Sequence, residues 1–255
     1  MVDDRDVSKQ IASWLMKANK PVIFTGAGMS TESGIPDFRS PGGIWTKYRT
    51  VYYEEFLASP EARHEYWRQK SEGHRAFADS QPNVGHQIIA AWETQGLIHG
   101  VVTQNIDGLH QLAGSKRVLE LHGTAREIIC LDCSARYDAE PLVQYFLTHD
   151  QVPTCSSCGR RRLKHATISF GQSLPQDILQ EAVQWCEEAS LLFAIGSSLV
   201  VTPAAELPKL TKVRGGKLII INRDDTPLDS LADRLIRESI GESLQAIERE
   251  RKRLV

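Results

Sequence analysis

The stretch PVIFTGAGMSTESGIPDFR, residues 21–39, sets a short apolar run directly before a glycine-rich loop. The apolar residues that end at Phe24 predict a buried strand, and Gly26 and Gly28 follow at once. Two glycines in this place allow a tight turn, and they also let backbone N–H groups approach a phosphate without an obstructing Cβ. The spacing alone leaves both interpretations open. The dehydrogenase fingerprint is incomplete because Thr31 stands where its third glycine belongs, so hydride transfer is not predicted.

Three further apolar runs share this design, in which an apolar segment ends in small or polar residues. They are Gly100 to Val102 before residues 104–107, Leu191 to Ile195 before 196–198, and Leu218 to Ile221 before 222–225. Helical patterns lie between them, for example over residues 83–95 and 175–189. Strands that alternate with helices and lack a polar face predict an α/β fold, with a parallel sheet covered by helices on both faces. Ligands of such sheets bind outside the carboxyl ends of the strands, so we expect the polar clusters to line one site.

The composition argues against a membrane protein, a secreted protein and a nucleic-acid-binding protein. The 255 residues are 41% hydrophobic and 24% charged, with a net charge of -2. No apolar run approaches the roughly 20 residues that a membrane span needs, and no secretory signal is visible. We therefore expect a cytoplasmic protein that binds neither membranes nor nucleic acid directly. The basic triplet at residues 160–162 is interpreted as a solvated loop.

The cysteines form two knuckles. Cys130 and Cys133 are separated by two residues, as are Cys155 and Cys158, and 21 residues lie between the pairs. Four thiolates can bind Zn²⁺ tetrahedrally and leave no open position for catalysis, so one structural zinc ion is predicted. Cys186 lies in a helical pattern and is interpreted as a buried core thiol.

Three polar residues are candidates for catalysis, although each has a simpler interpretation. His122 is either a hydrogen-bonded packing residue or a general base. Asn105 and Asp107 follow a predicted strand, where polar side chains also cap the next helix. Their location favours the catalytic interpretation, because the predicted topology brings all three to the edge of the sheet that carries the glycine loop.

Taken together, these motifs resemble the sirtuins, which are NAD-dependent protein deacylases. The resemblance extends from about residue 8 to residue 248 and rests on GAGMS at 26–30, GIPDFR at 34–39, TQNID at 103–107, LHG at 121–123, the cysteine knuckles, FG at 170–171, GSSL at 196–199 and IN at 221–222.

The resemblance implies one catalytic domain over residues 1–255. It has a large Rossmann-like part at about 8–40, 80–126 and 170–248, an inserted helical and cofactor-loop segment at about 41–77, and a small zinc module at about 127–165. NAD is the implied co-substrate. The residues implied to bind it are Gly26, Ala27, Gly28, Asp37, Phe38, Arg39, Gln104, Asn105, Asp107, Gly196, Ser197, Ser198, Asn222, Ser239 and Ile240.

The same resemblance implies that His122 takes a proton from the ribose, that Asn105 positions water and ribose, and that Asp107 holds the nicotinamide amide. Nicotinamide leaves and the acyl group passes to ADP-ribose. The acyl-lysine side chain is implied to thread a tunnel, and its peptide to bind as an added strand between residues 171–173 and 200–202. Residues implied to line this substrate site are Tyr52, Ile106, Ile168, Phe170, Gly171, Val200 and Val201.

Two departures from the family pattern bear on the substrate. Gln172 stands where members often carry glutamate, which removes a charge beside the bound peptide. Gln69 follows Tyr66 where members that prefer succinyl groups carry arginine, so deacetylation is favoured over desuccinylation. ADP-ribosyl transfer or NAD hydrolysis at the same site is an alternative, and a non-enzymatic module that binds NAD or ADP-ribose is another.

Overall fold

The computed structural model describes residues 4–37 and 49–255. In chain order the elements are α1 (Asp4–Lys17), β1 (Val22–Thr25), α2 (Tyr53–Ala58), α3 (Pro60–Ala78), α4 (Val84–Thr94), β2 (Gly100–Thr103), α5 (Leu109–Leu112), β3 (Val118–Glu120), β4 (Gly123–Cys130), β5 (Arg136–Asp138), α6 (Ala139–His149), β6 (Leu163–Thr167), α7 (Gln176–Glu188), β7 (Leu191–Ile195), α8 (Leu207–Val213), β8 (Lys217–Ile221), β9 (Arg234–Ile236) and α9 (Ile240–Arg253). A 3-10 helix over Ala27–Ser33 follows β1.

The main sheet has six strands in the order β3-β2-β1-β7-β8-β9, and all of its pairings are parallel. The four predicted strands are its central strands, and the predicted α/β fold is confirmed. The strand order turns back between β1 and β7, which makes their carboxyl ends the switch point where ligands bind in such sheets. Within the described ranges, no helix is both long and apolar enough to cross a lipid bilayer.

Strands β3 and β9 were not predicted. Each is three residues long and lies at an edge of the sheet, and only its middle or last residue is fully buried. An edge strand has one neighbour and a partly exposed face, so its sequence lacks the continuous apolar run that marks the central strands.

Helices cover both faces of this sheet, as predicted. One apolar core joins α1, α4 and α9 to the face that carries Ile23, Val101 and Ile219. A second core joins α7 and α8 to the opposite face, and Cys186 lies in it as the predicted buried thiol. Consecutive strand residues therefore point into different cores, which explains why the strands are apolar on both sides.

A smaller antiparallel sheet, in the order β5-β4-β6, carries the cysteine knuckles. It begins at Gly123 and ends at Thr167, slightly beyond the predicted range of 127–165 at both ends. Helices α2 and α3, which form the described part of the insertion predicted at 41–77, pack on this sheet and share one core with it. Trp67 shows the contact, since its indole N–H donates to the carbonyl of Leu163 at 2.8 Å. The two insertions thus build a single small body, which we call the cysteine module.

Close backbone packing joins the loops after β1 and β7. The N–H of Gly26 donates to the carbonyl of Ile195 at 3.0 Å, and the N–H of Gly28 donates to that of Gly196 at 2.8 Å. A Cβ on Gly26 would lie 2.8 Å from Ser197 Cα, and a Cβ on Gly196 would lie 2.3 Å from Met29 N. These glycines are therefore required by the fold itself, in addition to any role in holding a ligand.

Replacement of Gly196 tests this packing, with Gly215 as a matched control. Both residues have a positive φ, 63° and 85°, but a Cβ on Gly215 meets no atom within 4 Å. Gly215→Ala should lower the free energy of unfolding by roughly 1–2 kcal/mol, from the left-handed backbone alone. Gly196→Ala should lower it by about 2–5 kcal/mol, because overpacking adds to the same strain. Urea unfolding measures both, and equal losses would contradict the close contact.

Candidate active site

The carboxyl ends of β1, β2, β3 and β7 carry a connected set of polar side chains. Ser30, in the 3-10 helix after β1, donates to Asp107 Oδ2 at 2.7 Å. Asn105 Nδ2 donates to Ser30 Oγ at 3.2 Å. Gln104 Nε2 donates to Ser197 Oγ, which follows β7, at 2.7 Å. The glycine loop and the loops after β2 and β7 are therefore joined by side-chain hydrogen bonds, as their common position at one edge of the sheet predicts.

His122 lies at this edge through the loop after β3. Its Nδ1 is 3.0 Å from the carbonyl oxygen of Gln104, which only accepts, so Nδ1 carries the proton and Nε2 is the free basic nitrogen. Burial lowers the pKa of His122 below the usual 6.5, and the hydrogen bond to Gln104 opposes this shift to a smaller extent. The ring is consequently neutral at physiological pH, which a general base requires.

Both side-chain oxygens of Asp107 have hydrogen-bond partners within the protein, as its interpretation as a residue that supports the start of the next helix predicts. Its Oδ1 accepts from the N–H of Leu109 at 2.9 Å, which caps the start of α5, while Oδ2 accepts from Ser30. Both Asp107 and Asn105 are buried. Buried carboxylate and amide groups with several partners are held in one orientation, so this pair forms a rigid wall of the site.

Ser30 had no assigned role in the sequence-based prediction, although it bridges Asn105 and Asp107. The available signal was its position two residues after Gly28, within the loop that faces the carboxyl ends of the strands. Which strand end a loop serine contacts depends on the three-dimensional path of the loop, so the sequence pattern leaves its partners open.

The glycine loop is compatible with a phosphate-bearing ligand. Its Ala27 N–H, at the first position of the 3-10 helix, has no acceptor among the residues that the structure describes. An unpaired N–H at a helix start attracts anions. Asp37 is half-buried at the end of the first described range, whereas Phe38 and Arg39 lie outside the described residues.

The residues expected to line the adenosine half follow β7, β8 and β9. Ser197 is buried and Ser198 half-buried after β7. Asn222, after β8, turns its side-chain N–H to the carbonyl of Asp224 at 2.8 Å. Ser239 caps α9 by accepting from Glu242 N–H at 3.3 Å, and Ile240 packs on the core. The structure thus gives Ser239 and Ile240 a structural role, and their expected contact with adenine stays a prediction.

Apolar side chains remain exposed beside the site. Tyr52 is 54% exposed and Phe170 45% exposed, with ring centroids 6.3 Å apart, and Val200 is exposed after β7. The N–H of Tyr53 donates to the carbonyl of Phe170 at 3.0 Å, which ties α2 to the loop after β6. The neighbouring rings of Tyr52 and Phe170 are therefore candidates for a binding surface.

Three of the remaining substrate candidates are less exposed. Ile106, Ile168 and Val201 are half-buried. The N–H of Ile168 donates to the carbonyl of His122 at 2.9 Å, so this apolar side chain is adjacent to the candidate base. Gly171 is exposed and has a φ of 83°, which turns the chain after Phe170.

The sulfur atoms of the four cysteines lie in one cluster. Their sulfur atoms all lie within 4.8 Å of one another, with 3.6 Å between Cys130 and Cys158 and 3.7 Å between Cys133 and Cys155. Sulfurs bound to zinc at about 2.3 Å in a tetrahedron are about 3.8 Å apart. The donor set and its spacing therefore fit a structural zinc ion, with four thiolates and no free coordination position.

Comparisons with known proteins found a matching family model and relatives that cover most of the chain. A sequence model described as the Sir2 family matches residues 26–203. An "NAD-dependent protein deacetylase" of Rhodopseudomonas palustris is 43% identical over 238 residues, which cover 92% of this chain and 94% of the relative. A solved structure of Sir2 with p53 peptide and NAD+ has a TM-score of 0.86 and 39% identity, over 95% of this chain and 97% of that one.

A second solved structure, of a Sir2 histidine variant with deacetylated p53 peptide and 3'-O-acetyl ADP ribose, has a TM-score of 0.88 and 41% identity. It likewise covers 95% of this chain, and the match extends over 97% of its own. Both structures therefore align with nearly the whole chain, including the cysteine module.

Removal of one sulfur tests the metal site. Cys133→Ala should lower the zinc content of the purified protein far below one ion per chain and unfold the cysteine module, because metal binding and folding are coupled. Cys133 is exposed, so its loss leaves no core cavity. Cys186→Ala, which also removes a thiol, should keep the zinc. Elemental analysis with thermal unfolding measures both variants, and full zinc content in Cys133→Ala would exclude the site.

Proposed function

This chain belongs to the Sir2 family and is an NAD-dependent protein deacetylase, and we propose that His122 is its general base. The observation that carries this proposal is the hydrogen bond from His122 Nδ1 to the carbonyl of Gln104, 3.0 Å long. It orients the ring and leaves Nε2 unprotonated. The adjacent N–H of Ile168 holds the backbone of His122, so the base is fixed at both its ring and its main chain.

NAD, when bound, supplies a ribose carbon that becomes electrophilic as nicotinamide departs. The residues proposed to hold it are Gly26, Ala27, Gly28, Asp37, Phe38, Arg39, Gln104, Asn105, Asp107, Gly196, Ser197, Ser198, Asn222, Ser239 and Ile240. Of these, the N–H of Ala27, which has no acceptor among the described residues, suits the diphosphate, and the polar side chains of Asn105 and Asp107 suit the ribose and the nicotinamide amide.

His122, Asn105 and Asp107 each have a distinct role in this proposal. Nε2 of His122 accepts a proton from a ribose hydroxyl, since its free lone pair is the basic atom of the neutral ring. Asn105 orients the ribose and a water molecule, and Asp107 accepts hydrogen bonds from the nicotinamide amide. The half-buried Ile106, Ile168 and Val201 exclude bulk water, which would otherwise intercept the activated ribose and hydrolyse NAD.

The substrate proposed for the apolar surface is an acetylated lysine in a protein or peptide. Tyr52, Phe170 and Val200 present exposed apolar groups for the lysine stem, and the backbone at Gly171 and residues 200–202 would pair with the peptide as an added strand. A neutral acyl group is favoured because Gln69 donates to the carbonyl of Arg49 at 2.9 Å and offers no cation to a distal carboxylate.

The decisive experiment is a deacetylation assay with NAD and an acetyl-lysine peptide, followed by mass spectrometry. The wild type should release nicotinamide and deacetylated peptide in equal amounts. His122→Ala should lower kcat by roughly 100- to 10,000-fold, the usual contribution of a general base, while calorimetry detects unchanged NAD binding. His64→Ala, a histidine on α3 outside the site, should keep full activity. Release of nicotinamide without deacetylation of the peptide would instead favour NAD hydrolysis. Normal turnover of His122→Ala would exclude His122 as the general base.

The pH dependence follows from the state of the same ring. A protonated imidazole accepts no proton, so kcat/KM should fall about tenfold per pH unit once the pH drops below the pKa of His122. Burial lowers this pKa from its usual 6.5, so kcat/KM should be constant through neutral pH and decline only at pH values below 6.5. A profile of kcat/KM from pH 5 to 9 measures the limb. An acidic midpoint above 6.5 would contradict the proposed neutral, buried base.

A further inference from the structure

A buried chain of hydrogen bonds runs beneath the site, where β1 and β2 end side by side. Thr25 Oγ1 donates to Thr103 Oγ1 at 2.7 Å, and Thr103 Oγ1 accepts from the backbone N–H of Asn105 at 3.0 Å. His110 Nε2 lies 3.0 Å from Thr25 Oγ1. The exposed fractions are 0% for Thr25, 2% for Thr103, 6% for Asn105 and 1% for His110. No bulk water competes for these groups, so their mutual bonds determine where each group lies.

The donor and acceptor of each of these hydrogen bonds can be assigned. The hydroxyl proton of Thr25 is used on Thr103, so the Thr25 oxygen must accept from His110, and Nε2 of His110 carries a proton. Nδ1 of His110 has no hydrogen-bond partner in the described part of the chain. Burial also lowers the pKa of His110 well below its usual value, with a smaller effect from His86. His110 is therefore neutral and present as one tautomer.

These hydrogen bonds also connect to Asp107 and to the side chain of Asn105. Asp107 Oδ1 caps the start of α5 at Leu109, and His110 is the next residue of that helix. Asp107 Oδ2 accepts from Ser30, which in turn accepts from the Asn105 side chain. Asn105 is thus held at two points, by its backbone through Thr103 and by its amide through Ser30.

We propose that Thr25, Thr103 and His110 are positioning residues, which hold Asn105 at the place that the deacetylation reaction requires. This inference rests on the role proposed above for Asn105. The three side chains act through the Asn105 backbone, from below the wall that faces the ligands. What they contribute is their hydroxyl and N–H groups rather than their volume, so loss of the polar group alone should misplace Asn105.

Thr103→Val and Thr103→Ser separate the hydroxyl from the volume. Valine fills the same space but leaves the N–H of Asn105 and the hydroxyl of Thr25 without their partner. For Thr103→Val we expect kcat to fall roughly ten- to hundred-fold, the scale of a small misplacement of reacting groups, with KM for the acetylated peptide unchanged. Thr103→Ser, which keeps the hydroxyl, should recover most of kcat. Loss of folded protein also lowers the apparent kcat at constant KM, so kcat is calculated per NAD-binding site, counted by calorimetry, and a fall in kcat per binding site then reports the misplaced Asn105.

Thr211→Val is the matched control. Thr211 is also fully buried, and its hydroxyl donates to the carbonyl of Cys186 at 2.7 Å in the core between α7 and α8. Its replacement removes the same kind of bond and should lower the unfolding temperature to a similar degree, while kcat stays at the wild-type value. If Thr103→Val does not fold, His110→Gln and His110→Phe replace it. Glutamine keeps an N–H donor and should retain most of kcat, whereas phenylalanine has no donor and should lower kcat.

Asn105→Ala in the same assay distinguishes the role of Asn105 from the positioning role of Thr25, Thr103 and His110. A large loss of kcat in both Asn105→Ala and Thr103→Val supports the inference. If Asn105→Ala loses activity while Thr103→Val matches Thr211→Val in both kcat and stability, the positioning role is wrong and the role of Asn105 stands. If Asn105→Ala itself retains wild-type kcat, both the proposed role of Asn105 and the inference built on it are overturned.

Discussion

The hydrogen bond from the Gly28 N–H to the Gly196 carbonyl, 2.8 Å long, is the contact on which the site depends. It joins the loops after β1 and β7, the neighbouring strands at which the order of the sheet turns back. At this distance a side chain on either loop would collide with the other. Because the loops are pinned together, the 3-10 helix brings Ser30 against Asp107, and Ser197 reaches Gln104. The edge of the sheet at which we propose that NAD binds is built around this close approach.

Most of the fold could be predicted because its central strands are buried on both faces. A strand such as Leu191–Ile195 has no residue that water reaches, so its sequence is apolar throughout and easily recognised. The edge strands Val118–Glu120 and Arg234–Ile236 escaped prediction since half-exposed residues carry no such pattern. The cysteine spacing predicted the metal site, whereas the shared core of α2, α3 and the small sheet depends on packing between segments far apart in sequence.

The candidate site was predictable to the extent that topology fixes positions. His122, Asn105 and Asp107 follow strand ends, and parallel strands bring those ends together. The residues that support them are less visible. Thr25 and Thr103 have the β-branched shape common in any strand, so their hydroxyl bond became apparent only from the register that sets them opposite each other. Likewise, nothing in the sequence around Ser30 indicates that it contacts two strand-end residues at once.

The interior of the cysteine module is assembled from two stretches of chain that the large sheet separates. Trp67 from the first stretch stacks on Phe146 from the second, at 5.9 Å between ring centroids, and caps the carbonyl of Leu163. Neither stretch carries a complete hydrophobic surface of its own. A protein engineer who transplanted the metal-binding hairpin by itself into a foreign scaffold would move half of an interior, and the graft would expose the bare side of its sheet. Chimeras between relatives must therefore exchange both stretches as one unit.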